Sequence, residues 1–532
     1  MIDANDMLTA RRSWVCQGDC VDVLRSLPAG CVHSVVTSPP YWALRSYLPK
    51  DHADKPLELG SEALPDAYVQ RLVAVFEEVK RVMRDDAVLW VNLGDSYSGI
   101  GKTGGHSGGK NQHSAYGGLR DSANRGRAIA GLKPLDLCLI PERFVLAMQA
   151  AGWYVRAKIA WVKPSAMPES LGGVRWEWCR VHIKARTRGS KKDWCPSVDH
   201  HPGQVPHRDG SFNKPHDGLW QPCPGCPKCE KTGGLVLRRS AWRPTRSWEY
   251  IFMFTKSERY YADQEAVRTV LAEATIQRDR YTRILDDPDE QFAVKHNHET
   301  VSQGGANLRD VWQLPVEPCA MCACPQCGRI YLDAEARQER KRLKRGGCLT
   351  CGFRPFKDFL AHYAQFPTLL PYLCLKASMS AHGYCPTCGA PWARVIERID
   401  TGATQKMGDN WDTGHGAHGS FHRNGREEGQ AGVPVMASRT LSWLPTCTCP
   451  PHEPVPGLAL DPFAGSGRTL IAALKLGHRA LGIELHPGYV AMARRMVENH
   501  ERENETPLLE GESYDPQDPK DRQGISRRTT ND

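Results

Sequence analysis

Four consecutive residues early in the chain carry atoms that suit a planar amino group. Ser38-Pro39-Pro40-Tyr41 follows a β-branched run that ends at Thr37. The hydroxyl of Ser38 and the carbonyl of Pro39 could each accept an N–H hydrogen, and proline stiffens such a turn without adding a competing donor. Tyr41 offers a face on which a base turned out of a duplex could stack. These residues predict a catalytic pocket for an exocyclic amine; the simpler alternative is a Pro-Pro turn that only ends a strand.

A glycine-rich turn lies far along the chain. Asp461-Pro462-Phe463-Ala464-Gly465-Ser466-Gly467 follows a short apolar run and precedes a helical pattern that stops at Gly477. Glycines let the backbone approach a ligand closely and adopt dihedrals that other residues resist. A second strand pattern ends at Glu484, where dinucleotide folds usually place the acidic residue that binds ribose hydroxyls. The set predicts a nucleoside-cofactor site, whereas a lone Gly-x-Gly would indicate only a tight turn.

Cysteine pairs indicate metal binding. The chain has 20 cysteines, many in Cys-x-x-Cys pairs, and in a reducing cytosol this favours ligation over cross-linking. One predicted zinc ribbon has its ligands at Cys324, Cys327, Cys348 and Cys351, with Cys319 and Cys322 as competing ligands. A second would use Cys385, Cys388, Cys447 and Cys449, because a long intervening loop costs only logarithmically more to close.

A third cysteine group has three members close together, Cys223, Cys226 and Cys229. Its fourth ligand stays open among Cys179, His182, Cys195, His200 and His201. All of this zinc is expected to be structural, since four protein ligands leave no position open for catalysis.

Periodicity places both chemical motifs in an α/β fold. Residues 13–42 read as strand, helix and strand, residues 66–83 carry an apolar helical stripe, and residues 87–93 look like a buried strand. The same alternation resumes over residues 456–499. Such alternation predicts a parallel sheet with helices on both faces.

The two motifs and their order resemble the β class of S-adenosylmethionine-dependent DNA amino-methyltransferases. The resemblance covers residues 13–97, 132–175, 241–264, 307–313, 359–376 and 456–498. It implies a doubly wound, circularly permuted Rossmann-like methyltransferase sheet with zinc-binding insertions. It also implies that Phe463, Gly465 and Gly467 line the cofactor. Glu484 would hold the ribose, Asp461 the amino-acid part, Asp19 the adenine edge, and the segment containing Phe366 would close the methionine end.

The residue before Pro39 bears on which base is methylated. Serine there resembles the N4-cytosine signature, whereas N6-adenine enzymes more often carry Asp or Asn. A 5-methylcytosine enzyme would need a cysteine nucleophile at this turn. We therefore expect N4-cytosine methylation of DNA, with N6-adenine methylation as the first alternative. The others are methylation of RNA or protein amides, and a zinc-dependent nucleic-acid-binding protein with an inactive core.

The domain organisation expected from these patterns has four parts. Residues 13–164 would be the catalytic half, with a mobile loop at 98–127. Residues 165–355 would recognise the target, since they are irregular, cysteine-rich and mix arginine with tryptophan. Residues 356–499 would be the cofactor half with a zinc-ribbon insertion at 380–452, and residues 500–532 a disordered tail.

Composition sets the remaining expectations. The 532 residues carry a net charge of +9, which is compatible with a polyanionic partner. No run of 18 apolar residues and no secretory signal pattern is present, so a cytoplasmic protein without a membrane span is expected. The predicted partner is double-stranded DNA from which the base is flipped. No nuclease-like pattern is present, so any restriction endonuclease would be a separate chain, and the oligomeric state stays open.

Overall fold

The computed structural model describes residues 13–43, 47–48, 51–98, 131–164, 173–183, 219–240, 242–268, 307–317, 321–323, 330–332, 360–361, 366–405 and 433–505. The chain divides into two compact units. The sheet unit comprises residues 1–164 and 248–532, and the inserted unit comprises residues 165–247.

The α-helices of the described residues are α1 (Cys20–Arg25), α2 (Pro65–Val82), α3 (Ile140–Ala150), α4 (Leu369–Ser378), α5 (Arg468–Lys475) and α6 (Pro487–Glu505). The strands are β1 (Ser13–Gln17), β2 (Val32–Thr37), β3 (Met83–Leu93), β4 (Tyr154–Val162), β5 (Val174–Trp178), β6 (Arg180–Ile183), β7 (Leu219–Pro222), β8 (Leu235–Arg239), β9 (Trp248–Thr255), β10 (Val311–Gln313), β11 (Met321–Ala323), β12 (Ile330–Leu332), β13 (Leu360–Ala361), β14 (Trp392–Gln405), β15 (Val433–Pro445), β16 (Leu458–Asp461) and β17 (Arg479–Glu484). Short 3-10 turns span Lys55–Leu57, Glu230–Thr232 and Glu265–Val267.

The main sheet has the strand order β1-β17-β16-β2-β3-β9-β4-β10. Neighbouring strands are parallel except that β9 runs antiparallel to both β3 and β4. Segments distant in sequence meet in the middle, where β16 pairs with β2 and Ala459 lies opposite Ser34. From there β2 leads through α2 to β3 on one side, and β16 leads through α5 to β17 on the other. The strand order therefore reverses between β2 and β16, which is where open α/β sheets bind ligands.

Side chains on the two faces of the sheet enter two separate cores. Along β3, Leu89 and Val91 join the core that also holds α1, α2 and α3, whereas Val88 and Trp90 join the core that holds α4 and α5. This alternation follows from the two-residue period of a strand. Helices therefore cover both faces, as the sequence predicts.

Residues 165–355, which the sequence describes as irregular, contribute two strands to the main sheet. β9 pairs with β4 along its whole length and with β3 over Tyr250–Thr255, and β10 pairs with β4 at the sheet edge. Helix α6 also continues through Glu505, into the segment expected to be a disordered tail. The predicted loop at 98–127 lies outside the described residues except for Ser98.

Small ribbons complete the described residues. In the sheet unit, β14 and β15 form a long antiparallel hairpin with a bulge, and β11 pairs with β12 and β13. In the inserted unit, β5 pairs with β8 and β6 pairs with β7. No helix within the described ranges is long and apolar enough to cross a membrane.

Candidate active site

A buried carboxylate fastens the two loops that follow β2 and β16. Thr37 Oγ1 donates to Asp461 Oδ1 at 2.6 Å, Thr469 Oγ1 donates to Oδ2 at 2.7 Å, and the Phe463 amide donates to Oδ1 at 3.0 Å. Asp461 is 1% exposed, and its burial raises the pKa of the carboxyl to about 6. Because internal donors already engage both oxygens, Asp461 braces the site. The contact with the amino-acid part of the cofactor that the resemblance implies stays a prediction, since Oδ2 accepts only one of these three bonds.

Glu484 at the end of β17 reaches the glycine turn. The Gly465 amide donates to Glu484 Oε2 at 2.9 Å, and the His486 amide donates to Oε1 at 2.8 Å. Burial raises the pKa of Glu484 to about 7. Each carboxylate oxygen retains a further lone pair for a ligand hydroxyl.

The glycines of this turn are required by the backbone. Gly465 and Gly467 have φ of +53° and +87°, a region in which side chains are rarely tolerated. A Cβ on Gly467 would also lie 3.2 Å from the Cβ of Ala493 in α6. The turn therefore holds bare backbone at the start of α5.

One hydroxyl in the turn has no internal role. Ser466 is 3% exposed, and its Oγ has no hydrogen-bond partner among the described residues. Buried polar atoms are nearly always paired, so an orphan at a helix start fits a ligand-binding loop. The donor set of bare glycine backbone, an unpaired hydroxyl and the Glu484 carboxylate fits a nucleoside with ribose hydroxyls.

The other predicted cofactor residues flank this turn. Phe463 is half-buried within it, and half-buried Phe366 precedes Thr368, whose hydroxyl accepts from Arg468 Nη1 at 3.1 Å. Arg468 opens α5, so the Phe366 segment is tied to the start of that helix. Asp19 caps α1, since its Oδ1 accepts from the Val21 amide at 2.9 Å, and the preceding Gly18 amide donates to the Glu484 carbonyl at 3.1 Å.

Side chains from neighbouring strands hold the catalytic loop after β2. Ser38 Oγ donates to Asn92 Oδ1 at 3.3 Å, and Tyr41 OH lies 3.0 Å from the same oxygen and 2.8 Å from Glu249 Oε2. Asn92 is 2% exposed, and its Nδ2 donates to the Tyr250 carbonyl at 3.0 Å, which fixes the amide orientation. With its hydrogen directed to Asn92, Ser38 Oγ presents only lone pairs to the site.

Glu249 connects this network to a cation. Lys163, which follows β4, pairs with the Glu249 carboxylate. Burial, followed by the charge of Glu249, raises the pKa of Tyr41 well above its ordinary value, so the phenol stays protonated. Sequence reasoning missed both Asn92 and Glu249. The available signal was a polar residue inside an otherwise apolar stretch, residues 87–93 for Asn92 and residues 248–254 for Glu249.

The turn itself is firmly packed. The Tyr68 hydroxyl donates to the Pro40 carbonyl at 2.7 Å, and Pro39 is buried. The Tyr41 ring lies against Gly94, where an added Cβ would be 2.5 Å from Cε2. Contacts to both its hydroxyl and its ring therefore hold Tyr41 in place. They leave less of the ring face open for the base stacking that the sequence predicts.

One cysteine group of the sheet unit lies away from this site. The Sγ atoms of Cys385, Cys388, Cys447 and Cys449 all lie within 4.8 Å of one another, as metal ligands would. Arg84 Nη1 donates to the Cys388 carbonyl at 2.7 Å, and the adjoining Tyr384 ring packs 4.0 Å from that of His33. His33 lies near the start of β2, so this group sits at the opposite end of the strand from Ser38.

The inserted unit holds the other group. Cys179, Cys223, Cys226 and Cys229 have their Sγ atoms within 4.8 Å of one another, so Cys179 is the fourth ligand that the described residues bring to this group. The predicted ribbon of Cys324, Cys327, Cys348 and Cys351 lies outside the described residues.

A glycine turn and a Ser-Pro-Pro-Tyr turn thus meet at the reversal point of this α/β sheet. A family model described as DNA methylase (N6_N4_Mtase) matches residues 32–385 and 451–495. The chain belongs to this DNA methylase family, which confirms the resemblance.

Named relatives match part of the chain. Type II methyltransferase M.Cfr9I of Citrobacter freundii is 36% identical over 259 residues, which are 47% of this chain and 57% of that protein. M.XycI of Xanthomonas campestris pv. cyanopsidis is 34% identical over 268 residues, covering 49% and 60%. The chain thus spans less than two thirds of these relatives. Among solved structures, PvuII DNA methyltransferase (cytosine-N4-specific) is 12% identical, with a TM-score of 0.38 and coverage of 93% and 92%.

Proposed function

We propose that this protein transfers a methyl group from S-adenosylmethionine to the exocyclic N4 of cytosine in double-stranded DNA. The observation that carries the proposal is the pairing of β2 with β16, which puts Ser38 and the glycine turn at the same edge of the sheet. The chain order, with the catalytic loop first and the cofactor loop last, supports a circularly permuted sheet. On this view residues 13–164 and 356–499 are the catalytic and cofactor halves, and residues 165–355 contain the target-recognition region.

The cofactor loop would bind the nucleoside. When bound, S-adenosylmethionine supplies an electrophilic methyl group on a positively charged sulfur. Glu484 would accept hydrogen bonds from the ribose hydroxyls, and Gly465 and Gly467 would let the backbone approach. Asp461 would keep this loop in register with the catalytic loop through Thr37.

The catalytic loop would hold the amine. Ser38 Oγ and the Pro39 carbonyl would each accept one N–H hydrogen of the flipped base, so that the nitrogen lone pair faces the methyl group. Because Ser38 donates its hydroxyl hydrogen to Asn92, that hydrogen does not point at the amine. The bond from the methyl group to nitrogen would form as its bond to sulfur breaks, which leaves a neutral thioether. The same two oxygens would stabilise the positive charge that nitrogen gains, and one N–H proton would then pass to water.

Serine at position 38 supports cytosine over adenine as the methylated base, because it resembles the N4-cytosine signature described above. The test is nucleoside mass spectrometry of unmethylated plasmid DNA after incubation with the full chain and deuteromethyl-labelled S-adenosylmethionine. Labelled N4-methylcytosine is expected. Labelled N6-methyladenine would identify adenine, not cytosine, as the target base. A chain that binds the cofactor but labels no base would favour an inactive core.

Structural zinc completes the proposal. Each cysteine group offers four thiolates, the ligand set that zinc prefers. Metal analysis of the purified chain should find at least two zinc ions per molecule. The relatives named as type II methyltransferases support a separate restriction endonuclease as a partner.

A further inference from the structure

The positive charge of the chain is concentrated in the inserted unit. Residues 165–247 contain 15 Lys and Arg against 7 Asp and Glu, whereas the rest of the chain contains 54 against 53. Almost all of the net charge of +9 therefore belongs to one small unit. A polyanion would be attracted to this unit far more than to the rest of the protein.

This unit also displays an unusual apolar surface. β5 and β8 are antiparallel, with Val174 opposite Arg239, Trp176 opposite Leu237, and Trp178 opposite Leu235. Directly opposed residues share one side of a ribbon, so these six side chains form a single surface, which we term the Trp face. Val174, Trp176 and Trp178 are 69%, 55% and 65% exposed.

The acidic residue of this ribbon, Glu177, lies on the side opposite the Trp face. Glu177 pairs with Arg175 at 2.6 Å and with Arg238 at 3.4 Å. No carboxylate belongs to the Trp face, and Arg239 gives it a cation. An apolar surface of this kind, without acidic groups and in a strongly basic unit, is complementary to nucleic acid.

The cysteine group holds the Trp face in shape. Cys179 directly follows β5, and its amide donates to the Gly234 carbonyl at 2.8 Å. Gly234 has φ of +96°, and a Cβ there would lie 3.2 Å from Trp178 Cζ3, so the indole rests on bare backbone. Trp242, which is 69% exposed, adds a third indole beside Gly173 at the start of β5.

The spacing of the indoles identifies the ligand. Trp176 and Trp178 are two residues apart on a strand, or about 7 Å. Flat aromatic side chains on a strand stack on successive unpaired bases, and basic neighbours contact the phosphates. Bases inside an intact duplex are already stacked on each other and do not offer these faces.

We propose that the Trp face binds unpaired nucleotides of DNA, with bases stacked on Trp176 and Trp178 and a phosphate on Arg239. The proposal rests on the proposed function for the identity of the nucleic acid, because a duplex opened around a flipped base provides such nucleotides. It concerns binding, so it can fail or succeed separately from methyl transfer.

The test measures binding of a fluorescein-labelled single-stranded oligonucleotide to the full chain by anisotropy, without cofactor. The double variant Trp176→Ala/Trp178→Ala should lose at least ~10-fold in affinity, since each stacked base contributes measurably. Trp176→Phe/Trp178→Phe should stay within about three-fold of wild type, because phenylalanine also stacks. The matched control is Tyr154→Ala, which removes a 46% exposed aromatic residue from β4 of the sheet unit and should change nothing.

Zinc content and cofactor affinity, measured on every variant, show that both units are folded. Unchanged single-strand binding by the folded alanine double variant would overturn the proposal. The proposal would also be overturned if the double variant lost affinity only for intact duplex DNA. It would likewise be overturned if the wild type were a dimer and the double variant a monomer. Wild-type protein that binds single strands through the Trp face but methylates no base would instead remove the proposed function and leave this binding site in place.

Discussion

The loops after β2 and β16 lie side by side, yet they are held by different means. The β16 loop is held mainly from within its own strand–helix–strand segment, where Asp461 and Glu484 accept from Phe463, Thr469, Gly465 and His486. The β2 loop is held from outside, by Asn92 of β3, Glu249 of β9 and, behind Glu249, Lys163. Cofactor binding should therefore depend on local backbone geometry, and catalysis on side chains from other strands.

The largest effect is expected from the backbone of the β16 loop. Gly467→Asn should weaken cofactor binding about 100-fold, because a side chain must enter the 3.2 Å approach to Ala493 and distort the turn. Gly477→Asn is the matched control, since it has φ of +76° with no atom within 4 Å of an added Cβ. Calorimetry with S-adenosylmethionine measures both. Equal affinities in the two variants would show that the turn does not touch the cofactor.

Removal of one acceptor from the β2 loop should act on turnover alone. Ser38→Ala is expected to lower kcat about 100-fold, a typical cost for one lost hydrogen bond to developing charge, and to leave cofactor affinity unchanged. Ser34→Ala serves as control, because Ser34 lies on β2, just before this loop, but its hydroxyl bonds Val88 and Ser378 in the core. It should lower the melting temperature without lowering kcat. A normal kcat in the Ser38→Ala variant would show that Ser38 does not accept from the substrate amine.

A smaller loss should follow from the residue behind Ser38. Asn92→Leu removes the oxygen that both loop hydroxyls approach, so the Ser38 hydrogen is free to turn towards the substrate amine. We expect kcat to fall about 10-fold and stability by about 1–3 kcal/mol, as for other unsatisfied buried groups. Single-turnover rates and thermal melts separate the two effects. If only the melting temperature falls, Asn92 stabilises the fold but does not orient Ser38 in the amine pocket.

The smallest expected effect is a pH dependence in the β16 loop. On the proposed function, ribose hydroxyls would donate to the ionised form of Glu484, whose pKa is about 7, so cofactor affinity should rise with pH through neutrality. Between pH 6.5 and 8.5 the gain should be about four-fold. Burial lowers the pKa of neighbouring His486 to about 4, so that imidazole stays neutral throughout. Glu484→Gln should bind more weakly and without pH dependence; a sloping profile in that variant would assign the titration to another group.

The same difference explains what the sequence revealed. The β16 loop was predictable because its glycines and Glu484 fall within one short segment whose spacing is dictated by the fold. The cysteines at 385, 388, 447 and 449 were predictable because each of the two pairs is closely spaced, although a long loop separates the pairs. Asp461 was expected at this turn, but sequence does not show that Thr37 and Thr469 both donate to its carboxylate.

The support of the β2 loop was not predictable. Glu249 reaches Tyr41 only because β9 inserts antiparallel between β3 and β4, and no local pattern in residues 165–355 specifies that pairing. Cys179 was likewise one of several possible fourth ligands, because a single cysteine without a nearby pair carries no spacing signal. In both cases the missing information is a contact between segments distant in sequence.

The pairing of β2 with β16 has a consequence for biosynthesis. The second strand leaves the ribosome more than 400 residues after the first, which at 5–20 residues per second is roughly 20 to 85 s. During that interval the growing polypeptide exposes a hydrophobic strand edge that is prone to pair with other chains. A nascent-chain chaperone that shields this edge should raise the yield of active enzyme more than one that acts after release.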